Sequence, residues 1–479
     1  VTALWTAADA ARATGGGSTG DWAASGVSID TRSLLSGDLF VALRGPNHDA
    51  HDFVAAALAA GAAAALVDHP PANTPQARLL RVDDTLAGLT ALGQFARARG
   101  RARVVAVTGS VGKTGTKEAL RLALGACGRV FASSGSLNNH WGVPLSLARM
   151  PSEIDFGVFE IGMNHPGEIA ALTRLARPHV AVVTTVEPAH LGFFRSVEEI
   201  ADAKAEIFLG LEPGGAAVLN RDNRHFARLA AAARAVGVKD IVGFGADPEA
   251  TVRLVDCATG PDGSTVEAAV MGETIRFRLS VPGRHWVMNA LAVLGAAVAA
   301  GADPHRAAAA LAGLDGLPGR GRRHRLPWQG GAVALIDESY NASPAAMRAA
   351  LAVLGATMPE PGGRRVAVLG DMLELGSAGE RLHQELAGPL RSAAVDRAFL
   401  VGSEMAALHA VLPRSCRGGL WPSADAAIPA LLSFLEPGDV VTVKGSYGMR
   451  LGRVVEHLFA QSANSPNSPH SPSPPSREA

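Results

Sequence analysis

From Arg103 onward, short apolar and β-branched runs alternate with stretches of helical periodicity, and this alternation constrains the fold more than any other feature. The runs RVVAV, DFGVFEIG, VAVVTTV and GAAVLN are apolar throughout, which predicts strands of a parallel sheet covered on both faces. Between Thr251 and Pro282, TVRLVDC, STVEAAV and TIRFRLSV are separated by Gly-containing turns and predict antiparallel hairpins, after which RHWVMNALAVLGAAVAAG returns to helix. The periodicity breaks at GLPGRGRRHRLPW and then resumes with AVALIDESY, RRVAVLGDM, RAFLVG and DVVTVKGS. Ahead of Arg103, the strands GDLFVAL and AAAALVD flank the helix HDFVAAALAAG, which Gly61 ends. A chain of 479 residues exceeds one ordinary core. The class is therefore α/β with three domains. Residues 1–102 form a small α/β unit, 103–323 a central parallel-sheet domain with an antiparallel appendage, and 324–460 a Rossmann-like domain. The Ser/Pro-rich residues 461–479 cannot bury a core and are expected to be disordered.

The central domain opens with VAVTGSVGKTGTKE, where a strand passes through small residues into the helix KEALRLALGAC. Backbone N–H groups and a helix dipole favour phosphate there, Lys113 can reach the outer phosphates, and the Thr114 hydroxyl can ligate Mg²⁺. Only the second half of the GxxxxGK[ST] pattern is kept, because Val107 occupies its first glycine position; the alternative is a chance Gly/Lys turn. The strand before and the helix after favour a P-loop of ATPase type. In an open parallel sheet, ligands gather beyond the carboxyl ends of the strands. Those ends offer Glu160, Asn164 and His165, then His190, then Asn220 and Asp222. Glu160 closes an apolar strand, so it needs a partner: either a metal beside triphosphate or, the weightier reading for a lone glutamate, a structural contact. Lys204 falls one helical turn from Ile200 and Phe208. It therefore either points inward or lies exposed beside Asp202 or Glu206, and its residue type favours the second.

Forty-four basic residues balance forty-four acidic ones, which gives no support for nucleic acid or an acidic membrane surface as partner and favours small molecules. Cys127, Cys257 and Cys416 are far apart in sequence, against a zinc or disulfide framework and in keeping with a reducing cytosol. The opening VTALWTAADAARATGG lacks the order of a secretion signal, and FVAAALAAGAAAALV is too short for a membrane span. The expected location is cytoplasmic, with no transmembrane segment.

TGSVGKTGTKE, SGSLNNHWGVPLSLARM, FEIGMNHPGEI, PAHLGFFRSVEEIADAKAEIF, LNRDN, GRHWVMNALA, LPGRGR, DESYNASPAAM, LGDMLELG and VKGS resemble, in order, the signatures of the Mur ligases. These are ATP-dependent enzymes that build the peptidoglycan peptide, and the resemblance runs from the first strand to Leu458. LNNHWGVPL with NASPAAM is most similar to the branch that joins D-alanyl-D-alanine to UDP-N-acetylmuramoyl-tripeptide, and the DNPR signature of a diaminopimelate-adding branch is absent. The resemblance implies an acyl-phosphate mechanism, with Lys113, Lys204 and His190 as catalytic residues. It implies that Thr108, Gly109, Ser110, Gly112, Lys113, Thr114 and Gly115 hold the ATP phosphates. Asn289 and Arg320 would contact nucleotide, as would Asp337, Tyr340 and Asn341 from the last domain. Mg²⁺ would lie at Thr114 and Glu160, and a second ion at His190 and at Lys204 carbamylated by CO₂. Carbamylation makes an inward Lys204 sensible, since it turns a repelling cation into an anionic oxygen ligand. Ser28, Thr31 and Arg32 would contact uridine in the UDP-binding first domain; no acceptor-binding residue is assigned. A monomer is expected, closing about a hinge from Leu317 to Pro327. Three positions depart from the family pattern: Ala50 in place of glycine, Gly115 in place of a small polar residue, and Tyr447 in place of arginine or asparagine. A nearer alternative is a relative adding one amino acid, or glutamate to a folate. An alternative of another class is a regulatory P-loop NTPase, whose NKxD motif LNRDN does not supply; a scaffold protein would have no use for the Lys113–Thr114 pair.

Overall fold

The computed structural model describes residues 3–45, 48–70, 78–189 and 191–463. Its centre is a nine-stranded sheet in the order Glu273–Leu279, Gly263–Val270, Val252–Gly260, Asp240–Gly245, Ala216–Asn220, Val180–Val183, Arg103–Thr108, Phe156–Glu160, Val130–Ala132. All pairings from Val252–Gly260 to Val130–Ala132 are parallel. Strand alternation divides the interior into two cores. Val105 and Val107 face the helices Lys113–Gly125 and Arg284–Ala299, whereas Val104 and Ala106 face Glu168–Ala176, Val197–Ala205 and Phe226–Ala235.

The antiparallel hairpins differ from the expected appendage in one respect. Val252 and Arg253 pair in parallel with Phe244 and Gly245, so the hairpins continue the central sheet. Their alternating pattern covers one face only. Val252, Val266 and Ile275 join the core under helix Arg284–Ala299, while the other face meets water. The strands Val130–Ala132 and Asp240–Gly245 escaped the sequence reading; one is three residues long and the other carries an interior glycine.

The first sheet runs Gly17–Ser18, Leu79–Arg81, Ala64–Val67, Asp38–Val41, Gly26–Ser28, parallel except at Gly17–Ser18. It does not close its own core. Leu145 and Ala148, from the central-domain helix Gly142–Ala148, pack with Trp5, Leu39 and Leu89. The Trp5 indole donates to Ala148 O at 2.8 Å, and Arg149 Nε donates to Val27 O at 2.6 Å.

The last sheet runs Arg322–Trp328, Gly331–Glu338, Val440–Lys444, Arg365–Gly370, Arg397–Val401, Arg417–Trp421, with only its first pair antiparallel. Its first strand begins at Arg322, and the closing helix Gly452–Ala463 continues into the segment expected to be disordered. The rest of that segment, 464–479, lies outside the described residues. Among the described residues no helix is long and apolar enough to cross a membrane.

Candidate active site

The loop Gly109–Gly112 leaves the buried strand Arg103–Thr108 and enters the helix Lys113–Gly125. Two glycines make the turn possible. Gly109 has φ +150°, and a Cβ there would lie 1.9 Å from Thr184 Oγ1; Gly112 has φ +85°, and a Cβ would lie 2.9 Å from Asn289 Oδ1. Thr184 Oγ1 donates to Val111 O at 2.6 Å, and Ser110 Oγ donates to Glu187 O at 3.0 Å, so the neighbouring strand end holds the loop. The Thr108 hydroxyl, at the strand end, is buried and has no hydrogen-bond partner among the described residues. At Gly115 a Cβ would lie 2.8 Å from the Trp286 ring, so the bare backbone here makes room for an indole.

Lys113 Nζ curls back to donate to Gly109 O at 2.8 Å. Burial holds its pKa below the ordinary lysine value; the Glu160 carboxylate opposes that shift and the Arg320 guanidinium adds to it. Thr114 Oγ1 donates to Glu160 Oε2 at 2.8 Å, and Asn138 Nδ2 donates to Glu160 Oε1 at 2.7 Å. Glu160 is therefore a buried carboxylate supported by neutral donors, one of them from the mouth of the loop. Asn138 carries this contact although the sequence reading assigned it no role; its position in SGSLNNHW, a run of small and amide residues, was the available signal.

The inward reading of Lys204 holds. Helix Val197–Ala205 starts at a capping serine, Ser196, which accepts from Glu199 N, and its buried face carries Ile200 and Lys204. Lys204 is 2% exposed. The exposed alternative fails because both expected partners are engaged: Asp202 pairs with Arg228, and Glu206 accepts from Gly167 N and Ala170 N. Among the described residues no hydrogen bond or ion pair involves Lys204 Nζ. Burial holds its pKa well below the lysine value, and the Lys113 charge lowers it further. His190 lies outside the described residues, while Asn164, His165, Asn220 and Asp222 follow neighbouring strand ends. Asn220 Oδ1 accepts from Asp222 N and its Nδ2 donates to Thr184 O at 3.2 Å, while the Asp222 carboxylate accepts from Ala246 N and Asp247 N, so the two tie neighbouring strand ends together.

The opposite wall comes from the last domain. Arg320 Cζ lies 4.0 Å above the Tyr340 ring, and an Arg320 Nη donates to Ser136 Oγ at 3.1 Å, two residues from Asn138. Asp337 accepts from Gly319 N, Ser339 N and Ser339 Oγ. Asn341 O accepts from the buried Lys444 Nζ, which also pairs with Glu338 at 3.1 Å. Tyr447 is largely exposed, its ring 5.6 Å from that of Tyr340. Asn289 approaches the loop at Gly112, and Arg320, with Tyr340 under it, reaches Ser136, while Asp337 holds the segment on either side of Arg320 through Gly319 N and Gly321 N. Ser28, Thr31 and Arg32 stand apart in the first domain. The Ser28 hydroxyl is buried and donates to Asp30 O at 2.9 Å, whereas exposed Arg32 bonds the Asp30 carboxylate and holds it below the usual carboxylate range.

Comparison with known proteins follows the same three-part division. The Mur ligase family catalytic domain matches residues 23–99, the Mur ligase middle domain 107–297, and the Mur ligase glutamate ligase domain 319–447. The UDP-N-acetylmuramoyl-tripeptide–D-alanyl-D-alanine ligase of Escherichia coli strain K12 is 37% identical over 438 residues, covering 90% of this chain and 93% of that protein. MurF from Acinetobacter baumannii has a TM-score of 0.82 at 30% identity, covering 95% of this chain and 99% of its own. MurF ligase from Thermotoga maritima, solved in complex with ADP, has a TM-score of 0.75 at 28% identity over 92% of this chain and 98% of its own. With its ordered motifs, three domain matches and near full-length relatives, the chain belongs to the Mur ligase family.

Proposed function

We propose that this chain is an ATP-dependent ligase that joins D-alanyl-D-alanine to UDP-N-acetylmuramoyl-tripeptide, releasing ADP and phosphate and completing the muramoyl-pentapeptide precursor of peptidoglycan. The observation that carries this reading is the Thr114 hydroxyl bonded to the buried Glu160 carboxylate at the mouth of a glycine-built loop. A carboxylate is a poor acyl donor because its leaving group would be oxide. The tripeptide's terminal carboxylate therefore attacks the γ-phosphorus of ATP, breaking the bond to the β-phosphate oxygen and forming an acyl phosphate and ADP. The neutral amine of the dipeptide adds to the acyl carbon, and the tetrahedral intermediate expels phosphate and loses a proton as the amide forms.

Lys113 and the N–H groups of the loop from Gly109 to Gly115 hold the phosphates, and bound triphosphate would restore the Lys113 charge that burial disfavours. Thr114 Oγ1 and Glu160 are hard oxygen donors and would hold Mg²⁺, which when bound lowers the charge on the transferring phosphoryl group. Asn289 binds the nucleotide from the loop side, and Arg320, Asp337, Tyr340 and Asn341 bind it from the other wall. Ser28, Thr31 and Arg32 take the uridine end; for Ser28 this requires the backbone turn it closes, since its hydroxyl is engaged. Lys204 is read as the carbamylated lysine of a second Mg²⁺ site shared with His190. Burial disfavours the charged form of this amine, which has no partner among the described residues, and the neutral form adds to CO₂ with loss of one proton. Labelled bicarbonate should give a carbamate carbon resonance in the wild type that Lys204→Ala lacks, and the same resonance in both would refute this assignment. Three free cysteines suit a reducing cytoplasm, where the chain is read as acting as a monomer.

Mass spectrometry of the product formed from UDP-muramoyl-tripeptide, ATP and D-alanyl-D-alanine tests the whole reading. The expected product gains one dipeptide, and Lys113→Ala should lower its rate by about a thousandfold. ADP release at an equal rate without the muramoyl nucleotide would overturn the reading.

A further inference from the structure

The carboxyl ends of strands Asp38–Val41 and Ala64–Val67 gather a group of side chains for which the ligase reaction has no use. His51 belongs to the short helical turn Ala50–Phe53 and is 3% exposed. Its Nδ1 lies 2.6 Å from Asp49 Oδ1, while its Nε2 accepts from Asp68 N at 3.3 Å and lies 3.3 Å from Asp68 Oδ1. The tautomer is thereby set: Nδ1 carries the proton, and the Nε2 lone pair faces Asp68. His69 stacks on His51 with ring centroids 4.2 Å apart, and its Nδ1 lies 2.5 Å from the same Asp68 oxygen. One ligand atom from each of His51, Asp68 and His69 fits within a 4.8 Å span.

Arg44 shares this oxygen: one of its Nη atoms donates to Asp68 Oδ1 at 3.1 Å and lies 3.1 Å from His69 Nδ1, so a guanidinium now neutralises the Asp68 carboxylate. Arg44 is more than half exposed and also lies 3.2 Å from Asp49 Oδ2, so it can swing towards Asp49 and leave the Asp68 oxygen to a divalent cation.

We propose that His51, Asp68 and His69 form a site for a first-row divalent cation of the zinc class. His51 Nε2, which gives up its 3.3 Å contact with Asp68 N, His69 Nδ1 and one Asp68 oxygen are the protein ligands, and solvent completes the coordination. Two imidazoles with one carboxylate suit zinc and its neighbours and do not suit magnesium, which takes oxygen ligands. Asp49 behind His51 is the carboxylate that orients a ligating imidazole and raises its basicity. The cation's role is structural. It ties the turn at His51 to the end of the strand Ala64–Val67, beside the loop whose Gly45 backs onto the Trp141 ring of the central domain.

The test uses the metal-stripped full-length protein in excess Mg²⁺, titrated with Zn²⁺ by calorimetry and with Co²⁺ by visible absorption. The wild type should take up a single equivalent of Zn²⁺ and show the d–d absorption of Co²⁺ in a nitrogen-containing site. His69→Ala, a change at an exposed position, should weaken Zn²⁺ uptake by roughly tenfold or more and abolish the Co²⁺ band, and Asp49→Asn should weaken it by about 10- to 100-fold. The proposal is overturned if the wild type takes up no Zn²⁺ in excess Mg²⁺. It is equally overturned if His69→Ala and Asp68→Asn bind Zn²⁺ as tightly as the wild type.

Discussion

Lys117 has no exposed surface, yet its ammonium donates to Ser133 O at 2.7 Å and Gly135 O at 2.8 Å and pairs with Glu118 at 2.9 Å. The two carbonyls belong to the segment that leads to Ser136 and Asn138, and those side chains meet Arg320 and Glu160. Lys117 is therefore a positioning residue: it fixes the backbone from which two site contacts are made. Lys117→Met keeps the length of the stem but leaves two carbonyls without their donor and Glu118 with Arg121 alone, which should cost about 3 kcal/mol of stability. It should also raise KM for ATP about tenfold, a change a purely structural lysine would not produce. Unfolding in urea and steady-state kinetics at a temperature where the variant stays folded would separate the two effects. The residue-scale reading of the sequence saw Lys113 and Thr114, whose roles are local to one turn. It missed Lys117 because nothing in TKE tells which carbonyls a lysine will reach.

At the scale of elements, the strand Val180–Val183 is attached to Arg103–Thr108 through His179 as well as through its ladder. His179 N donates to Val104 O at 2.7 Å, and its ring Nδ1 accepts from Val104 N at 3.0 Å. Accepting requires a neutral ring. Burial first, then the neighbouring arginines Arg103, Arg97 and Arg177, lower its pKa from 6.5 to about 4, against a smaller opposing pull from Glu212. Between those values the unfolded chain binds a proton that the folded chain does not. The contribution is therefore complete above pH 6.5 and is lost as the pH falls towards 4. His179→Gln should flatten the pH dependence of unfolding stability between pH 5 and 7 by about 1 kcal/mol, allowing for the ring's partial exposure. An identical slope in the variant would remove His179 as the cause. Periodicity located the strand but not this clamp, because the clamp joins residues far apart in the chain.

For the whole molecule, the three domains are not equally independent. The first shares its core with helix Gly142–Ala148 and is bound by buried contacts from Trp5 and Arg149. The last meets the central domain through polar contacts such as Arg320 with Ser136, Arg323 with Pro261 O, Gly192 N with Glu374 O at 2.8 Å and Arg348 3.9 Å from Glu187, and through Leu191, partly buried against its core. Pairing of Arg322–Trp328 with Gly331–Glu338 takes half of the expected hinge into the last sheet. Turning is thereby confined to Leu317–Gly321, where Gly319 and Gly321 have φ of +69° and +93°. An acyl phosphate must be kept from water, so substrates should draw the last domain inward while the first two move as one body. Small-angle scattering with an ATP analogue and the muramoyl nucleotide together should give a smaller radius of gyration than the free protein. No change on adding both would refute domain closure.

The sequence alone determined the α/β class and the strand–loop–helix passage around Lys113, while for Lys204 it left an inward and an exposed reading open until the structure buried it. The first two are properties of short segments, set by side-chain period and by the glycines a turn requires. Tertiary structure decided that Asn138 supports Glu160 from 22 residues away and that Arg320 meets Ser136 from 184. It also decided that the hairpins extend the central sheet and that the first domain borrows a helix for its core. The difference is physical: period reports only how much of a segment meets water, whereas the identity of a buried polar group's partner depends on which distant segment is brought against it.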